Sequence, residues 1–355
     1  MRFLNFSVAV CLALASVATQ AATVSGLYQV HEPLEGQGAE ARTQATGKAL
    51  ETLVLRLTGD PKAAQSPALA ELRKDPQQII NQVGTEAGPP ESVVVEFDPG
   101  STERALRKAG LALWGSNRPS IVAWWLNDNV DGSSLVGDGQ ASAEPLRRAA
   151  QHRGLPLRLP LADLQEQLVA NAGQLESSDA GPLRSASERY AADALLAVHA
   201  HETDGKWQGK WQLWLGDQRE QGTAEGTDQA ALADAVMLAV SSRLAPRYVT
   251  KPGASDALQV QFQGANLQRY AELGRVLEPY GPRLQMAEGD TLTYAVTANR
   301  EQLRAQLSLA KLQEVAPESS APTPAPTSQP SVTPAPGSAP PPAAPKPFDG
   351  LRFRW

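Results

Sequence analysis

Ala194-Leu195-Leu196-Ala197-Val198-His199-Ala200-His201-Glu202-Thr203-Asp204-Gly205-Lys206-Trp207-Gln208-Gly209-Lys210-Trp211-Gln212-Leu213-Trp214-Leu215 carries the most decisive local signal in the chain. The apolar run 194–201 has the length of a buried strand, Asp204-Gly205 supplies a two-residue hairpin turn, and 206–215 returns with tryptophan at strand positions. Working outward, an amphipathic helix follows over 228–244. Before the hairpin come helices near 161–170 and 183–190, a strand at 155–159, a helix over 143–153 and a buried strand at 121–126. Strands alternating with helices at this spacing predict an α/β module over residues 118–250, with the Trp-rich hairpin inside it.

Two further modules flank this one. Residues 22–117 read as a strand at 23–30, a helix over 39–58, a short helix at 77–83, a strand at 92–97 and a helix at 101–109. The first helix is the clearest in the chain: Ala41, Ala45, Ala49, Leu50, Leu53, Val54 and Leu57 recur at helical spacing, and Gly59-Asp60-Pro61 stops it. Residues 255–315 read as βαββα, with a strand at 258–262, a helix over 266–277, strands at 283–287 and 291–296, and a helix over 300–312. The expected architecture is therefore α/β to α+β: two or three small modules with mixed sheets and flanking helices, followed by a disordered Pro-rich tail. Residues 316–347 hold 12 of the 28 prolines, a composition that cannot pack a core and favours an extended linker. Residues 348–355 differ again. Leu351, Phe353 and Trp355 alternate with Arg352 and Arg354, the pattern of a strand. They are the candidate docking residues, for a sheet edge of this protein or for an envelope protein.

Leu111-Ala112-Leu113-Trp114-Gly115-Ser116-Asn117-Arg118-Pro119-Ser120-Ile121-Val122-Ala123-Trp124-Trp125, taken with the helix end Arg56-Leu57-Thr58-Gly59, resembles the proteobacterial exported proteins grouped as domain of unknown function 2066. The resemblance spans roughly residues 22–250. It implies export and carries no activity, substrate or catalytic residue.

The first 21 residues read as a cleavable leader: Arg2 in a short positive start, an apolar run over 8–18, and small residues at Thr19-Gln20-Ala21. The run is too short for a membrane anchor, which needs about 20 apolar residues. Cleavage after Ala21 removes Cys11, the single cysteine, so the mature chain is expected in the periplasm without lipid, disulfide or thiolate chemistry. A net charge of -6 with no basic block argues against nucleic acid as a partner. Oligomeric state is not readable.

Four groups of residues invite a chemical reading. Asn127-Asp128-Asn129-Val130-Asp131-Gly132, with Asp138, has the oxygen-ligand spacing of a calcium loop but Asn at position 1 and Asp at position 12, so a plain Asn/Asp/Gly turn explains it better. His199 and His201 share a strand face, with Glu202 or Asp204 as the obvious helpers, but no distant paired ligand set accompanies them, so a half-exposed strand face explains them better. Gly36-Gln37-Gly38-Ala39-Glu40-Ala41 matches a dinucleotide-turn pattern out of context, because Pro33 and its neighbours separate it from the strand. No metal or cofactor and no catalytic residue is expected from these. Trp207, Trp211 and Trp214 form the candidate ligand-binding set, since aromatic platforms bind sugars and peptides, with core packing as the competing explanation. The functional expectation is an exported noncatalytic envelope scaffold or partner-binding protein, the alternative being a periplasmic hydrolase or binding protein for cell-wall glycan or peptide.

Overall fold

The computed structural model describes residues 24, 26–88, 91–249, 256–315 and 350–355. The expected leader (1–21) and Pro-rich segment (316–347) lie outside the described residues. Three mixed or antiparallel sheets, each with flanking helices, make up the described chain.

The first sheet orders β1-β3-β2 and is antiparallel: β1 (Gln29–Pro33), β2 (Ile80–Glu86) and β3 (Ser92–Phe97). Helix α1 (Ala39–Thr58) buries Ala45, Ala49, Leu50, Leu53 and Leu57 against Val30, Val93, Val95 and Phe97. Short α2 (Ala70–Lys74) and α3 (Pro99–Lys108), capped by Asp98, complete the layer. Two expectations are corrected. The first strand lies later than 23–30, with Pro33 tolerated because β1 is an edge strand. Residues 77–83 are not a helix: a 3₁₀ turn at Pro76–Ile79 leads into β2, whose outer edge carries no partner strand among the described residues.

The second sheet orders β5-β4-β7-β8-β9, with β6 also paired to β4. Its strands are β4 (Ile121–Asn129), β5 (Gly132–Leu135), β6 (Leu157–Arg158), β7 (Ala194–Thr203), β8 (Lys206–Leu215) and β9 (Gln218–Gly226). The Asp204-Gly205 hairpin pairs Ala194↔Leu215 through Thr203↔Lys206, and β4 lies parallel to β7. Side chains alternate across the sheet. Ile121, Ala123 and Trp125 face α4 (Glu144–Arg153) and α8 (Gln229–Tyr248), whereas Val122, Trp124 and Leu126 face α5 (Leu164–Val169), α6 (Ala172–Glu176) and α7 (Gly181–Ser187). Strands β5 and β9 extend the expected set.

The third sheet orders β11-β12-β10-β14-β13: β10 (Asp256–Gln263), β11 (Arg283–Glu288), β12 (Thr291–Ala298), β13 (Gln313–Glu314) and β14 (Leu351–Arg354). Helices α9 (Leu267–Leu277) and α10 (Arg300–Leu309) cover one face. Helix α10 has two allegiances: Leu303 and Leu307 enter the third core, and Leu309 enters the core beneath α8.

Candidate functional site

The first two modules meet at a pair of buried guanidinium groups. Arg118, fully buried, directs five N–H groups at five backbone carbonyls: Nε to Gly115 at 3.0 Å, Nη1 to Arg153 at 2.9 Å and Gly154 at 3.2 Å, and Nη2 to Arg56 at 2.7 Å and Trp114 at 3.1 Å. Arg56 donates from Nε to His152 at 3.2 Å and from Nη1 to Leu27 and Gln29 at 3.0 and 2.7 Å. The acceptors include the last carbonyls of α1 and α4, which have no intrahelical partners and sit at the negative ends of two helix dipoles. The two charges are thus solvated by helix C-termini in place of water. Desolvation, then repulsion from Arg56, pushes Arg118 down to about 9, and desolvation pushes Arg56 down to about 10, so both remain charged near neutrality. The Arg118 guanidinium lies 4.2 Å from the Trp114 ring centroid, and Trp114 stacks on Tyr248 at 5.7 Å and 9°. Gly154 is obligatory here: its φ is +63°, and a Cβ would lie 2.8 Å from Arg118 Nη1.

Between the second and third modules runs an open cleft of about 1000 Å³, lined by Asp193, Arg247, Tyr248, Arg304 and Lys311 among others. Four of its charged groups are engaged with protein partners, and Glu301 also lines it. Lys311 Nζ binds Asp193 Oδ1 at 2.6 Å, Asp193 Oδ2 accepts from Ser120 N and Oγ at 3.0 and 2.8 Å, Arg304 pairs with Glu314, and Arg247 with Glu220.

The sequence-derived candidates fall as follows. Trp207, Trp211 and Trp214 are 6, 3 and 5% exposed, which corrects the platform reading. Trp207 and Trp211 enter the core beneath α8 and Trp214 the opposite core; the Trp211 ring covers Gly222 of β9, its cross-strand partner. Strand alternation over 206–215 already distributes these indoles to two faces, and helices cover both. The Asn127–Asp138 oxygens do not converge: Asn127 Oδ1 accepts from Trp125 Nε1 at 2.8 Å, Asn129 Oδ1 caps Asp131 N, and Asp138 pairs with Arg147. His199 meets Glu176 at 2.7 Å and Asp128 at 3.5 Å, and its ring lies 5.9 Å from that of His201.

Leu351, Phe353 and Trp355 come together. β14 runs parallel to β10, with Val260↔Leu351 and Phe262↔Phe353, and antiparallel to β13, with Glu314↔Phe353. Leu351 and Phe353 are buried in the third core; Phe353 stacks on Phe262 at 6.1 Å, and Arg269 lies 5.3 Å over the Trp355 ring.

Residues 21–115 match the profile of a domain of unknown function, DUF8605. This corrects the resemblance to domain of unknown function 2066, which rested on short apolar and turn motifs. No curated protein matches the chain. A solved structure described as "Crystal structure of uncharacterized protein" is similar over 36% of this chain and 92% of that one, at 11% identity and a TM-score of 0.16.

Proposed function

We propose that the protein is an exported, noncatalytic scaffold of the cell envelope that acts in the periplasm by holding partner-binding surfaces in a set arrangement. The observation that carries this reading is the arginine joint. Two guanidinium groups and eight backbone carbonyls from α1, α4, the 114–118 turn and the 27–29 stretch form it. Four of its hydrogen bonds, Arg56 to His152 and Arg118 to Arg56, Arg153 and Gly154, tie α1, that turn and the end of α4 together across the two modules, an investment suited to a body that positions surfaces. Export is supported by the leader pattern at residues 1–21.

The test has two arms. Mass spectrometry of the protein recovered from the periplasm is expected to give a chain beginning at Ala22 without lipid; a retained leader or a diacylglyceryl mass overturns the location. Photocrosslinkers placed on the exposed faces of the first and third modules in living cells are expected to capture one common partner complex. Turnover of cell-wall glycan or peptide by the purified protein, lost on substituting cleft residue Glu301 or Asp193, overturns the noncatalytic reading.

A further inference from the structure

Strand β14 occupies a slot with two edges and three side-chain seats. Its backbone pairs on one side with β10 and on the other with β13, which has no other strand partner among the described residues. On the helix-covered face Leu351 and Phe353 fill places beside Val260 and Phe262. Trp355 follows at the next same-face position, 6.2 Å from Phe262 and beneath Arg269, whose Nη1 is anchored by the Gly264 carbonyl at 2.6 Å. Arg352 and Arg354 take the alternate positions, opposite Gln261 and Gln263.

The rest of the module has a frame that does not pass through β14. The β10-β12-β11 ladder and the packing of Leu258, Leu273, Leu277, Leu292, Val296 and Leu303 belong to residues 256–315. The strand is joined to this frame by residues 316–349, and the connection returns to where it left: Val315 N donates to Arg352 O at 2.8 Å. Being part of the same chain, the strand meets its slot at roughly millimolar effective concentration. An intrinsic affinity merely tighter than that seats the strand. Backbone pairing to a sheet edge with alternate side chains in pockets is a general mode of peptide recognition.

We propose that the slot between β10 and β13 is a peptide-binding site whose ligand is an extended strand reading apolar-basic-apolar-basic-aromatic, with residues 351–355 as its resident and exchangeable occupant. This supplies a ligand class for the partner-binding reading above and rests on that reading only for its biological use.

The experiment uses the full chain with a specific protease site placed within residues 316–347 and cut after folding, so that the strand remains seated as a separate fragment. Fluorescence anisotropy then follows a labelled peptide of residues 348–355. The fragment is expected to leave on dilution, and the labelled peptide to replace it with a submillimolar Kd. A peptide carrying Phe353→Ala should bind roughly 100-fold more weakly, while the uncut chain excludes the peptide at micromolar concentration. Three results overturn the proposal: a fragment that never exchanges while the module stays folded, loss of the circular-dichroism signature of the third module when the fragment leaves, or equal binding of the Phe353→Ala peptide. None of these bears on the crosslinking result, so the two readings fail separately.

Discussion

Arg118 uses its whole set of N–H donors on carbonyls contributed by α1, α4 and its own turn. Those carbonyls are main chain and cannot be replaced along with the side chain. Arg118→Met therefore removes a desolvated charge but strands several buried acceptors, and is expected to cost at least ~3 kcal/mol, measured by urea denaturation. Arg118→Lys should restore little, because a single ammonium cannot reproduce the planar fork. Both arginines stand in the stretches 56–59 and 111–125, yet nothing local marks them as buried. Arginine is ordinarily a surface residue, and several of its acceptors here are 35 to 96 positions away in sequence. A second residue-scale expectation concerns acid. Glu176 is held below the usual carboxylate range by its hydrogen bond from Lys210 and then by that of His199. A carboxylate depressed in the folded state stabilises above its unfolded pKa, and this contribution is lost as pH falls through the folded value. Glu176→Gln should accordingly flatten the acid limb of the stability profile below about pH 4.5 and leave the neutral-to-alkaline limb unaltered in shape.

Helix α1 ends at Gly59, whose φ of +64° closes the C-cap while its bare Cα faces α8. A methyl there would overlap the Ala245 Cβ, so Gly59→Ala is expected to cost roughly 2–4 kcal/mol from left-handed strain and overpacking together, read from the thermal midpoint. Such an end was legible, because glycine followed by Asp-Pro is turn chemistry that does not depend on distant contacts. The Asp204-Gly205 hairpin was legible for the same reason. Strand β2 was not: Ile79, Ile80 and Val83 sit at helical spacing, and an exposed edge strand lacks the alternation that a covered face imposes. Strand β9 reads Gln-Arg-Glu-Gln-Gly-Thr-Ala-Glu-Gly, a polar edge whose pairing is specified by β8 alone. The tryptophans misled in the opposite sense. Their faces followed from alternation, but the covering helices could be placed only once the sheet order was known.

Taken whole, the molecule couples its parts unequally. The first two modules share the buried arginine joint and the Gly59–Ala245 contact, whereas the third meets the second through Ala305 and Leu309 of α10 and the Lys311–Asp193 pair. Gln306 Nε2 also donates to the Asn117 carbonyl, and no guanidinium is buried at this second joint among the described residues. Scanning calorimetry of the protein is expected to show two transitions, with the first two modules melting together; Arg56→Met should split that joint transition and leave the other in place. What the sequence conveyed at this scale was the succession of modules and their helices and strands. It could not convey the joints, which are made by residues that no periodicity selects. The position of β14 in sheet order has a further bearing on how the protein is made. Its neighbour β13 ends at Glu314, but the strand that fills the slot begins at Leu351, so a chain emerging from the ribosome carries an open β10 edge for at least 36 residues of elongation. Any product interrupted before Phe353 keeps that edge open and Phe262 without its stacking partner. Such a product is distinguishable, to a protease that samples loose sheet edges, from one synthesised through to the strand that closes it.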